Sequence, residues 1–207
     1  MEGGKLIYTL GGEGSGKSIH SELNKEYISS KGVNIIRVRE PGGTPVAELV
    51  RNDILLNKES KINYWSEVLG FQIARSELYE KVVIPNLERG VSVIQDRSKD
   101  CSTAYQGYGR GIDLELIKKL NKESTFGYEP DLAFIIDVDP VKGLEKELNH
   151  DRMGLAGLEF HKRARFGYLE IARENPENYV VIPYIENGVD EMQFLMRPYI
   201  DKLFNFF

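Results

Sequence analysis

Residues Gly11-Gly12-Glu13-Gly14-Ser15-Gly16-Lys17-Ser18 match the spacing G-x-x-x-x-G-K-[ST], and no other stretch limits the fold as tightly. Glycines let the backbone turn sharply and bring its N–H groups against phosphate oxygens. A lysine at position 17 reaches terminal phosphates, and the Ser18 hydroxyl suits a Mg²⁺ ligand. The spacing works only between a buried strand and a helix, whose N-terminus adds partial positive charge to the anion site. Both neighbours fit. Lys5 to Leu10 is a short apolar run of strand formers, and Lys17 to Lys31 carries Ile19, Leu23, Tyr27 and Ile28 at helical spacing before Gly32.

The remaining chain repeats this alternation. Strands are expected at Val33–Val38, Val91–Gln95, Leu132–Val138 and Tyr179–Ile182. Helices are expected at Val46–Leu56, Asn63–Arg89 with a kink near Pro85, Asp113–Ser124, Pro140–Leu148, Leu158–Arg173 and Val189–Phe204. Residues 98–112 read as a polar, glycine-rich loop. Such alternation implies an α/β fold, a central five-stranded parallel sheet between two helical layers, in one domain over residues 1–207. Ligands of such sheets lie at the carboxyl ends of the strands. The loop after the first strand, Arg39–Thr44 and Asp96–Gly107 all fall on that edge and are expected to line one cleft.

Composition excludes several classes. The formal net charge of −5 argues against nucleic acid or an acidic membrane as partner. Cys101 is the only cysteine, so no internal disulfide can form and a reducing, cytoplasmic setting is expected. One cysteine and three scattered histidines (His20, His150, His161) do not make a zinc site. No apolar run approaches membrane-spanning length.

Several segments, in order over about residues 5–175, resemble the thymidylate kinase family of P-loop nucleoside monophosphate kinases. They are Gly11–Ser18, Arg39-Glu40-Pro41-Gly42-Gly43-Thr44, Phe71-Gln72-Ile73-Ala74-Arg75, Asp96-Arg97 and Ser102-Thr103-Ala104-Tyr105-Gln106-Gly107, continued by Gly109–Asp113 and Pro130-Asp131-Leu132. The resemblance implies a P-loop NTPase fold and transfer of the ATP γ-phosphoryl to dTMP, with Mg²⁺, in a homodimer. Gly11 to Ile19, including Glu13, would cradle ATP, with Ser18 and Asp96 at the metal. Arg39, Arg51 and Arg97 would surround the acceptor phosphate, for which guanidinium forks are suited, and Pro41 would join them in binding substrate. Phe71 would stack on the base and Arg75, one helical turn on, would donate to it. Ser102 and Gln106 would contact the base edge, Tyr105 would crowd the sugar 2′ position, and Glu13 would lie near the 3′-hydroxyl. Lys17, Arg97, Asp96 and Arg152 are the expected catalytic residues.

The resemblance also implies a short lid near residues 147–157 that closes over ATP. It holds one arginine, Arg152, with Lys146 just before it; Gly14 stands where another branch has arginine. Two other readings stay open on these residues: a kinase of another base preference, such as dUMP, and a nucleotide-binding homologue with little turnover.

Overall fold

The computed structural model describes residues 3–59, 61–147 and 151–206; the part of the expected lid at 148–150 lies outside these. Five parallel strands, β1 (Leu6–Gly11), β2 (Ile35–Arg39), β3 (Ser92–Asp96), β4 (Leu132–Asp137) and β5 (Tyr179–Pro183), lie in the order β2-β3-β1-β4-β5. All five are at the expected places. β1 is central and wholly buried, which is why it reads as a continuous apolar run rather than an alternation. Thr9 pairs in register with Asp96 on one side and Phe134 on the other, so the ends of β1, β3 and β4 meet at one edge.

Successive β1 side chains feed two cores. Leu6, Tyr8 and Leu10 join Leu78, Leu87, Ala164, Tyr168 and Ile171 on one face. Ile7, with Ile94, Phe134 and Ile136, packs on Ile28, Met192, Met196 and Ile200 on the other. The second face is covered by α1 (Lys17–Ser30) and the last helix, residues Val189–Phe204. Between α1 and β3 come α2 (Pro45–Val50), extended by a wide turn at Arg51–Leu56, then α3 (Tyr64–Leu78) and α4 (Ile84–Glu88). Asn63 caps α3, accepting from Ser66 N at 2.9 Å. The kink expected near Pro85 is a π-helical stretch, Tyr79–Val83, between α3 and α4. Proline has no N–H to donate and crowds the preceding turn, so the ladder widens just before it.

Residues 98–112 correct the loop expectation. They hold α5 (Lys99–Ser102), capped by Ser98, and a π-helical stretch over Thr103–Gly109. The glycines there are packing devices rather than breakers. A Cβ at Gly107 would stand 2.6 Å from Leu114, and one at Gly109 2.6 Å from Phe160. The chain continues through α6 (Leu114–Ser124), capped by Asp113 as expected, then α7 (Pro140–Lys146), a 3₁₀ turn at Gly154–Ala156, α8 (Leu158–Glu174) and α9 (Val189–Phe204). α7 ends at Lys146, short of the expected Leu148.

Candidate active site

The glycine loop joins β1 to α1 with Gly14 and Gly16 in the left-handed region, at φ 64° and 82°. Gly14 also sits against α7, where a Cβ would meet Gly143 O at 2.1 Å. Lys17 Nζ donates to Gly12 O at 2.5 Å, folded back over the loop it would share with a phosphate. Burial, together with the Arg97 charge, pushes its pKa down from the ordinary lysine value. Ser18 Oγ donates to Asp96 Oδ2 at 2.6 Å, so the two expected metal ligands touch. Arg37, which the sequence reading passed over, donates to the same Asp96 oxygen at 2.7 Å and to Ser21 Oγ at 2.6 Å. The pair Ser18–Asp96 offers hard oxygen donors suited to Mg²⁺. Among the described residues no cluster of three His, Cys, Asp or Glu side chains could hold a metal by itself. A Mg²⁺ bound there would take its further ligands from phosphate and water.

The cleft beyond the loop is lined by Lys17, Ser18, Ile19, Arg37, Arg39, Arg51, Asp96, Arg97 and Lys146. Arg39 is held by Glu48 at 3.1 Å to each carboxylate oxygen, and Arg51 donates to Pro41 O at 3.3 Å. Burial, reinforced by the positive charges of Arg39 and Arg97, pushes the Arg51 pKa down. Arg51, crowded by two further guanidinium groups, marks a site that an anion would stabilise.

Arg97 leaves β3 at φ 65°, a left-handed conformation that costs a non-glycine residue about 1–2 kcal/mol. That turn brings its guanidinium to Glu13, with both carboxylate oxygens at 2.9 Å. Tyr105 OH donates to the same carboxylate at 2.9 Å. Burial opposes ionisation of Glu13, but Arg97 and Lys17 with these hydrogen bonds overcome it and hold the carboxyl at about 2. Glu13, Arg97 and Tyr105 thus form one fixed partition between the loop cleft and a second cavity.

That second cavity is lined by Glu40, Pro41, Phe71, Arg75, Arg97, Ser102, Tyr105, Gln106 and Met153, among others. Phe71 and Arg75 share one face of α3, as their spacing demands. Arg75 is 2% exposed and donates to Glu40 at 2.9 Å, Gln72 at 2.8 Å, Asn121 at 3.0 Å and Ser102 at 3.0 Å. The two clefts therefore gather every expected acceptor and base residue at the strand ends, with Glu13, Gly14, Gly16, Lys17, Ser18 and Ile19 of the loop; Gly11, Gly12 and Ser15 line neither.

Arg152 is placed differently. Its side chain donates to Glu67 Oε2 at 2.6 Å and to Ile54 O at 2.8 Å. It lines neither cleft, whereas its neighbours Asp151 and Met153 do. Sequence reading missed Glu40, which anchors Arg75, and Glu67, which anchors Arg152. Glu67 stands one turn before Phe71, so extending the ladder 71–75 backward by four residues was the signal available.

Comparison with known proteins agrees with this geometry. A family model described as thymidylate kinase matches residues 11–193. A thymidylate kinase of a Sulfurihydrogenibium species is 40% identical over 202 residues, covering 97% of each chain. One from Kosmotoga olearia is 41% identical over 173 residues, covering 82% of this chain and 83% of its own. The crystal structure of thymidylate kinase from Ehrlichia chaffeensis superposes with a TM-score of 0.77 at 36% identity, covering 95% of this chain and 99% of that one. By sequence and by fold, the chain belongs to the thymidylate kinase family.

Proposed function

We propose that this protein transfers the γ-phosphoryl group of ATP to dTMP, giving dTDP and ADP. The observation that carries the reading is the crowding of Arg39, Arg51 and Arg97 in the cleft that also holds Lys17, beside a second cavity lined by Phe71 and Arg75. An acceptor that is itself a phosphate brings negative charge toward the donor, and only a concentration of cations offsets that repulsion. In the transfer, an oxygen of the dTMP phosphate forms a bond to the γ-phosphorus while the bond from that phosphorus to the β–γ bridging oxygen breaks. ADP leaves with the electron pair. The acceptor is already ionised, so the protein positions and neutralises rather than removing a proton.

Residues Gly11 to Ser18 turn backbone N–H groups toward the donor, and Lys17 exchanges its bond to Gly12 O for the terminal phosphates. Ser18 and Asp96 would hold Mg²⁺, which when bound supplies charge neutralisation at the phosphates. Arg97, fixed by Glu13, faces the acceptor phosphate with Arg39 and Arg51. Phe71 stacks on thymine; Tyr105, held by Glu13, walls off the sugar. The segment around 147–157 serves as a lid, with Arg152 as its cation, held on Glu67 beside the cleft. The cytoplasm is the compartment this reading implies. A second copy of the chain is the partner it implies, and an apolar stripe on α3 supports that. Trp65, Leu69 and Ile73 recur every four residues, each about half exposed, and Leu49 of α2, which packs on α3, is exposed as well.

The reading is tested by Arg51→Ala. Loss of one cation from the acceptor side should raise the KM for dTMP about tenfold or more and that for ATP much less. An unchanged KM for dTMP would remove the acceptor-phosphate assignment.

A further inference from the structure

We infer that Glu67 sets the base preference of the acceptor cavity by fixing which way the Gln106 side-chain amide points. This rests on the reading of that cavity as the base site. Glu67 is fully buried on α3, and its carboxylate accepts from Gln106 Nε2 at 2.6 Å, Arg110 at 3.2 Å and Arg152 at 2.6 Å. Both arginines are themselves held. Arg152 also donates to Ile54 O at 2.8 Å, and Arg110 lies over the rings of Phe160 and Tyr64 at 4.5 and 4.7 Å. The carboxylate has therefore little room to turn.

A carboxylate between two guanidinium groups has no hydrogen to give, so Gln106 must meet it with its NH₂. Its Oε1 accepts no hydrogen bond among the described residues, and with the NH₂ turned to Glu67 it is the acceptor that Gln106 has left to offer the cavity it lines. A fixed acceptor selects a pyrimidine that carries N3–H, such as thymine or uracil. Cytosine has a bare N3 and would leave two acceptors facing each other, a mismatch a buried site rejects strongly. Glu67 touches no substrate in this scheme; it is a positioning residue, acting through Gln106.

The test is the ratio of kcat/KM for dTMP to that for dCMP in wild type, Glu67→Gln, Gln106→Met and the double variant. A glutamine at 67 can give or accept, so the amide of Gln106 is released. The ratio should fall about tenfold, in part through a rise for dCMP that general damage to the fold would not produce. Gln106→Met should lower the ratio while leaving the ion pairs of Glu67 in place, and adding Glu67→Gln to it should change the ratio no further. A wild-type ratio in Glu67→Gln, or an equal fall in the Gln106→Met background, would overturn the inference. If Glu67→Gln fails to fold, Gln106→Met alone decides: an unchanged ratio overturns it, and a lowered ratio supports it. Phe71→Ala separates the two levels, because an unchanged KM for dTMP there would reject the base site itself.

Discussion

Glutamate 13 lies inside the phosphate loop, where a negative charge is least welcome, and its replacement by glutamine gives a worked test of the electrostatics. The carboxylate is 6% exposed, receives two bonds of 2.9 Å from Arg97 and one of 2.9 Å from Tyr105, and is held at about 2 against an ordinary 4.5. By proton linkage that depression contributes about 3 kcal/mol to stability at neutral pH. Because the folded value is the lower one, the contribution is complete above the unfolded value of 4.5 and is lost as pH falls through the folded value. At about pH 3.5, about 1.4 kcal/mol of it is already gone. Glu13→Gln does not titrate. Urea unfolding followed by circular dichroism should therefore show wild type the more stable at pH 7, and the gap should narrow by about 1.4 kcal/mol by about pH 3.5. A gap that is constant across this interval would mean that Glu13 is not held ionised by Arg97 and Lys17, and the fixed partition between the clefts would fall with it.

Two further substitutions probe the same region. Gly14→Ala places a Cβ 2.1 Å from Gly143 O at φ 64°, so it should lower stability by about 2 kcal/mol or more and weaken ATP binding; an unchanged melting temperature and KM for ATP would refute the close approach of α7 to the loop. Tyr105→Ala should relax discrimination against ribose monophosphates, read as the ratio of kcat/KM for dTMP to that for its ribose counterpart; an unchanged ratio would remove Tyr105 from the sugar site.

Much of the architecture was legible because it is local. A strand, a glycine loop and a helix follow one another within Leu6–Ser30, and each strand announces itself by a short β-branched or apolar run. The residues proposed to bind the acceptor could be grouped from sequence because their motifs lie in short segments that the sheet brings to one edge. What escaped depends on partners far along the chain. Gly107 and Gly109 read as loop residues, yet they are the small contacts that let the helical segment 99–109 lie against Leu114 and Phe160. Glu67 pairs with Arg152 across 85 positions, and Glu40 with Arg75 across 35. No periodicity reports such pairs, because a buried carboxylate looks in sequence like any solvated helix-face glutamate until its arginine is known. For the same reason Arg152 reads as a free lid cation, whereas in the structure its charge is already engaged.

The central claim is that these two clefts carry phosphoryl transfer from ATP to dTMP. It is tested most directly by a coupled ADP-release assay with ATP and Mg²⁺ against dTMP, dUMP, dCMP, dGMP, dAMP, UMP and AMP, with Lys17→Ala as control. The account predicts strong preference for dTMP and loss of turnover in Lys17→Ala. Turnover of a purine monophosphate in preference to dTMP, or full activity in Lys17→Ala, would contradict it.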